Sequence, residues 1–101
     1  MLQDKITVVT GAGSGIGRSL AIRFAEKGAR AVVCSDLNAD NAAETAEMIG
    51  KAGTSAALDV GDEAAIEALV AETETTIGGI DIFVSNAGYG QSGGLSLATE
   101  D

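Results

Sequence analysis

The apolar residues of this chain change their spacing repeatedly along its length, and no other feature limits its fold as strongly. "KITVVT" (5–10) is a short, nearly continuous β-branched run, the pattern of a strand covered on both faces. Ile16, Leu20 and Phe24 then recur every four residues, which predicts one face of a helix ending at Gly28. "RAVVCSD" (30–36) reads as a second buried strand, and "DNAAETAEMIGKAG" (40–53) sets Ala42, Ala46 and Ile49 on one helical face. "TSAALDV" (54–60) is a weaker third strand. Residues 62–77 place Ile66, Leu69, Val70, Thr73 and Ile77 at helical spacing, and "IDIFVSNAG" (80–88) gives a fourth strand with its exit loop. The tail, "YGQSGGLSLATED" (89–101), has no clear period.

Strict alternation of strand and helix implies right-handed crossovers and a parallel sheet with helices on both faces. At 101 residues, with no repeat, linker or low-complexity tract, the chain amounts to one domain. Apolar residues make up 46% of it and aromatic residues only 3%, so the core is expected to be built from Val, Ile, Leu and Ala. The net charge of −9, with no histidine, would repel a phosphate backbone or an anionic membrane surface, so neither nucleic acid nor membrane is an expected partner. The apolar run near the amino terminus is far too short for a signal-peptide core or a membrane span, and a cytoplasmic protein is expected. Cys34, the single cysteine, sits inside the second strand and reads as a small, buried, reduced thiol.

Between the first strand and the first helix stands "VVTGAGSGIG" (8–17). On one edge of a parallel α/β sheet, strand carboxyl ends meet helix amino ends, where unpaired main-chain N–H groups favour an anion. A phosphate approaches only where no Cβ obstructs it, and glycine also permits the positive φ angles that aim several N–H groups inward. Gly11 would let the chain turn sharply after the strand. Gly15 and Gly17 would let the backbone meet a diphosphate and pack the helix tightly on the sheet, and Gly13 would add freedom within the turn. Ser14 and Ile16 would offer main-chain N–H groups, and the Ser14 hydroxyl a further donor.

The spacing is G-x-x-x-G-x-G and not G-x-G-x-x-G, whose third glycine would fall on Ile16; nor does Gly-Lys-Ser/Thr follow, as a nucleoside-triphosphate loop requires. Asp36, nineteen residues after Gly17, ends the second strand, where a carboxylate can accept hydrogen bonds from an adenosine ribose and repel a 2′-phosphate. Ser14, Leu37 and Asn38 bring no positive charge to offset that repulsion, so NAD is expected over NADP. Alternatively, Asp36 starts a turn or caps the helix that follows. Asp59 is equally suited to capping the next helix, and Asn86 to a loop hydrogen bond or a ligand contact.

With Thr10 ahead of it, "TGAGSGIG" resembles the T-G-x-x-x-G-x-G motif of the short-chain dehydrogenase/reductase family. "SDLN" carries Asp36 where NAD-preferring members keep an acidic residue, followed by Leu37. "LDV" puts Asp59 and Val60 where the family contacts the adenine ring. "SNAG" (85–88) resembles the family's N-N-A-G segment, with Ser85 in place of the first asparagine, so Asn86, Ala87 and Gly88 carry over to the cofactor site. The resemblance covers essentially the whole chain. It implies a Rossmann-type doubly wound parallel sheet, represented here by four strands and three helices, and an NAD-dependent oxidoreductase that moves hydride between the nicotinamide and an alcohol or carbonyl substrate. It also implies self-association through helices beyond residue 101.

In that family a tyrosine serves as acid/base, assisted by a lysine four residues later, a serine and an asparagine; the lysine lowers the tyrosine's pKa. Tyr89 is the only tyrosine here, Gly93 stands four residues on, and the last lysine is Lys51. No catalytic residue is therefore named. Residues 1–101 are expected to be a partial NAD-binding domain without the catalytic half, inactive alone. A non-catalytic nucleotide-binding or regulatory module is the alternative, and a purely structural α/β domain a third. Without a partner, the fourth strand would be an exposed edge with apolar residues on both faces, and the chain alone weakly stable and poorly soluble.

Overall fold

The computed structural model describes residues 1–86 and the backbone of residues 96–98. The elements are β1 (Ile6–Thr10), α1 (Gly15–Glu26), β2 (Ala31–Asp36), α2 (Ala39–Ile49), β3 (Gly53–Ala57), α3 (Glu63–Thr76), β4 (Ile82–Ser85) and β5 (Ser96–Ala98). The strands form one sheet in the order β3-β2-β1-β4-β5. The first four are parallel, as the alternating periods predict, with Val8 opposite Val33 on one side and Phe83 on the other. β1 is therefore central, and the chain leaves it first towards β2 and later returns on its far side as β4.

Successive side chains of a strand point to opposite faces, and the core divides accordingly. Ile6, Val8, Ala31 and Val33 meet Leu69 of α3, with Ile66, Val70 and Ile77 packed around them. Val9, Val32, Cys34 and Val84 meet Ala21 of α1, flanked by Leu20 and Phe24 and by Ala46 and Ile49 of α2. So α3 covers one face and α1 with α2 the other. The aliphatic core expected from composition is present, and Cys34 is fully buried and unpaired. Among the described residues no buried side-chain polar atom lacks a partner: Thr7 donates to Ala31 O at 2.9 Å and Ser35 to Val9 O at 3.1 Å.

Three expectations change. Ile16 does not share the buried face of α1: it is 67% exposed, while Gly17 and Ala21 are buried. A repeat of four overshoots the 3.6-residue turn by about 40° at each step, so Ile16 and Phe24 point in well-separated directions. The third strand ends at Ala57, short of Asp59 and Val60. Most consequentially, β4 is not an edge. β5 pairs with it antiparallel, Val84 opposite Leu97 and Ser85 opposite Ser96, satisfying backbone groups that would otherwise face outward. The expectation of poor solubility from an open β4 edge loses that basis.

Candidate functional site

The carboxyl ends of β1, β2 and β4 lie side by side, where the order of the sheet reverses direction about β1, the usual location of a ligand crevice in such sheets. Thr10 ends β1 fully inside the protein. Its hydroxyl donates to Val84 O at 3.3 Å and accepts the N–H of Asn86 at 2.8 Å, tying β1 to the exit of β4. The turn that follows is walled by this junction. Gly11 takes φ +66°, and a Cβ there would overlap the carbonyl oxygen of Asn86. A Cβ on Gly17, in the first turn of α1, would overlap the carbonyl oxygen of Gly11 and stand 2.7 Å from Asn86 Nδ2. Both glycines are demanded by close backbone approach.

Gly15 is different. It takes φ +56°, is exposed, and a Cβ would meet nothing within 4 Å. The open space lies at the amino end of α1, whose N-cap Ser14 is exposed and makes no side-chain cap. By contrast, α2 and α3 are capped by their own side chains: Asn38 accepts from Asn41 N at 3.0 Å and Asp62 from Ala65 N at 3.2 Å. Gly13 is not a source of freedom, as its spacing suggested. It is buried, and a Cβ there would stand 2.7 Å from Asn41 Cβ and 2.8 Å from Asp36 Oδ2.

Asp36 reaches the glycine turn directly. Oδ2 accepts the N–H of Gly13 at 2.8 Å and Oδ1 that of Asn38 at 2.9 Å. The carboxylate starts the turn into α2, but Asn38 caps that helix. Leu37 beside it is 69% exposed, and with Ile16 it leaves two large apolar side chains in solvent near the carboxylate and the glycine turn. The segment after β3 joins the same edge through Leu58 N, which donates to Asp36 O at 2.9 Å. Asp59 accepts from Gly61 N at 2.9 Å, and the cap of α3 falls to Asp62 instead. Val60 is half-buried against the core on the α3 side. Ala87 and Gly88 lie outside the described residues, as do Tyr89 and Gly93. Thr10, Gly11, Ser14, Gly15, Ile16, Gly17, Asp36, Leu37 and Asn86 are thus gathered at one end of the sheet.

Two residues at this end went unread in the sequence. Thr45 of α2, fully buried, donates to Ala12 O at 2.7 Å, behind the glycine turn. Arg18 donates from Nε to Thr45 Oγ1 at 2.8 Å and from Nη2 to Glu44 Oε1 at 2.8 Å and Asn41 O at 3.3 Å, joining α1 to α2. Thr45 could have been found from its place three residues after Ala42 and four before Ile49, on the apolar stripe of α2. Burial pushes the Cys34 thiol up to about 11, so it stays protonated and inert at neutral pH. Among the described residues no group of acidic, Cys or His side chains could hold a metal ion, and no helix is long and apolar enough to cross a membrane.

The model of the short chain dehydrogenase family matches residues 5–101. Galactitol 2-dehydrogenase of Agrobacterium fabrum is 38% identical over 100 residues, which cover 99% of this chain and 39% of that protein. The crystal structure of a hydroxysteroid dehydrogenase from Escherichia coli superposes with a TM-score of 0.82 at 39% identity, over 89% of this chain and 39% of that one. A 3-ketoacyl-(acyl-carrier-protein) reductase from Brucella melitensis, solved in complex with NADH, gives 0.77 at 38% identity, over 82% of this chain and 34% of that one. The chain spans well under half the length of curated relatives it matches, 41% of one and 32% of another.

Proposed function

The chain belongs to the short-chain dehydrogenase family, and we propose that it supplies the adenosine and diphosphate half of the cofactor site in an NAD-dependent oxidoreductase. The observation that carries this reading is the 2.8 Å bond from Gly13 N–H to Asp36 Oδ2, which sets a carboxylate suited to a ribose against a glycine turn suited to a diphosphate. The residues present fit such a group. The side of Gly15 is open, and the N–H groups at the start of α1 have no side-chain cap to displace.

In this reading the first-turn amides of α1 and the Ser14 hydroxyl bind the diphosphate. Asp36 accepts from the ribose hydroxyls, and its fixed negative charge disfavours a 2′-phosphate, giving NAD preference over NADP. Arg18, which follows the glycine turn directly, is committed to Thr45, Glu44 and Asn41 and does not offset that charge. Ile16 and Leu37 give the adenine apolar surface, with Asp59 and Val60 at its edge, and Thr10 and Asn86 brace the turn. By the family resemblance, Asn86, Ala87 and Gly88 belong to the cofactor site.

The bound cofactor would supply the redox chemistry by accepting hydride from an alcohol carbon, leaving a carbonyl, or by donating it in reverse. The substrate is then a small alcohol or carbonyl compound and the setting cytoplasmic, in keeping with the reduced, buried Cys34. Self-association of the enzyme fits the same reading. Titration of the chain with NADH, followed by cofactor fluorescence, tests the proposal. Saturable binding at least about tenfold tighter than for NADPH is expected; no saturable change with NADH overturns it.

A further inference from the structure

The peptide unit between Ala12 and Gly13 is gripped at both ends by side chains. Its carbonyl accepts the Thr45 hydroxyl at 2.7 Å, and its N–H donates to Asp36 Oδ2 at 2.8 Å. Ala12 N in turn donates to Ser35 O at 2.9 Å, so the chain is pinned on both sides of the Ala12 Cα as well. A peptide plane is rigid, and rotation at one end moves the other. The direction in which Gly13 N–H points at Asp36 is therefore coupled to the bond made by Thr45, across the turn from the carboxylate.

Arg18 holds the Thr45 hydroxyl from one side. A guanidinium only donates, so at 2.8 Å from Nε the Thr45 oxygen must act as acceptor. Its single proton is left to choose between Asn41 O at 3.2 Å and Ala12 O at 2.7 Å, and the shorter, loop-directed bond wins. The whole chain of bonds runs Glu44–Arg18–Thr45–Ala12/Gly13–Asp36, from the solvent face of α2 to the residue that meets the ribose. Of its members, only Asp36 is among the residues assigned above to the dinucleotide.

We infer that Thr45, oriented by Arg18, is a positioning residue for cofactor discrimination: it holds the 12–13 peptide so that the Asp36 carboxylate stays fixed towards the ribose 2′ position. The inference rests on the dinucleotide reading of the site. Without the Thr45 bond the peptide can rotate, Asp36 loses one of its two main-chain donors, and the carboxylate is free to swing from a 2′-phosphate. Binding of NADH then weakens while the penalty against NADPH relaxes.

The test is the ratio of NADH to NADPH affinity in the full chain and in three variants: Thr45→Val, Thr45→Ser and Arg18→Met. Thr45→Val is expected to weaken NADH about tenfold and to reduce the NADH/NADPH ratio about fivefold or more, whereas Thr45→Ser, which keeps the hydroxyl, stays within about twofold of the parent in both. A role in packing alone would weaken both cofactors equally and leave the ratio unmoved, and that result overturns the inference. Arg18 is partly exposed, so Arg18→Met is expected to fold; a ratio reduced about threefold in that variant supports the coupling even if Thr45→Val does not fold, and an unchanged ratio in Arg18→Met then overturns it. Failure of the dinucleotide reading shows earlier and differently: the parent chain itself gives no saturable NADH binding, and both conclusions fall.

Discussion

The hydroxyl of Thr10 meets residues 74 and 76 positions further along the chain, donating to Val84 O at 3.3 Å and accepting from Asn86 N at 2.8 Å. One side chain thus joins the end of β1 to the end of β4 and sets Asn86 against the glycine turn. Thr10→Val keeps the shape and removes both bonds, leaving a part-buried N–H without its partner. A loss of about 1–3 kcal/mol in unfolding free energy is expected by urea denaturation, with Thr10→Ser close to the parent.

Gly15 and Gly17 lie two residues apart and should respond differently, the first chiefly in cofactor binding and the second chiefly in stability. Gly15→Ala adds a methyl to open space at positive φ, so the chain should fold with a loss of about 1–2 kcal/mol while NADH binding falls sharply. Gly17→Ala drives a methyl into the carbonyl of Gly11 and should cost at least about 2 kcal/mol. Thermal melts beside NADH titrations separate the two. Equal melting temperatures for the variants would contradict the geometry.

Asp36→Asn retains one carbonyl oxygen for the neighbouring N–H groups and discards the charge. NADH binding is expected to weaken about tenfold or more, because hydrogen bonds to a charged group are worth about 1.5–3 kcal/mol. NADPH binding should strengthen at the same time as the repulsion disappears. Parallel titrations of the two cofactors read both changes.

Cys34 gives a pH signature. Its thiol ionises near 11 in the folded chain against an ordinary value of 9.0, because burial disfavours the thiolate. The folded state therefore holds the proton more tightly than the unfolded state. The corresponding stability is intact below pH 9 and is lost as the pH climbs through about 11, by on the order of 2 kcal/mol. Cys34→Ala should lack this component, visible as a shallower fall in urea stability between pH 9 and 11.

Most of the architecture was legible because buried parallel strands and one-sided helices leave different periods in the sequence. The runs 6–10 and 31–36 contain almost nothing but apolar and small residues, and both are buried nearly throughout. α3 was equally plain, with Leu69 and Thr73 buried where the spacing put them. β5 was not, because three residues are too few to show alternation and its pairing depends on the edge β4 offers. Ile16 was misjudged because small residues, not large ones, face the sheet where α1 comes closest to it.

At the site, the glycine pattern identified the turn, yet the reasons differ by position: close approach at Gly11 and Gly17, crowding by Asp36 and Asn41 at Gly13, and vacancy only at Gly15. Arg18 and Thr45 stayed hidden because an arginine and a threonine on amphipathic helices ordinarily mark solvent-facing positions. Their significance comes from bonds between α1, α2 and the turn, and it is the tertiary arrangement that creates them.

The wall that Asn86 gives the glycine turn has a consequence for how the protein is born. Residues 10–17 leave the ribosome before residue 86, which brings the carbonyl that packs on Gly11 and the N–H that meets Thr10. A nascent chain halted before that point would carry the whole glycine motif and still have an unbacked turn. In the proposed reading, a complete cradle for the cofactor therefore waits on the return of residue 86 to residues 10–17.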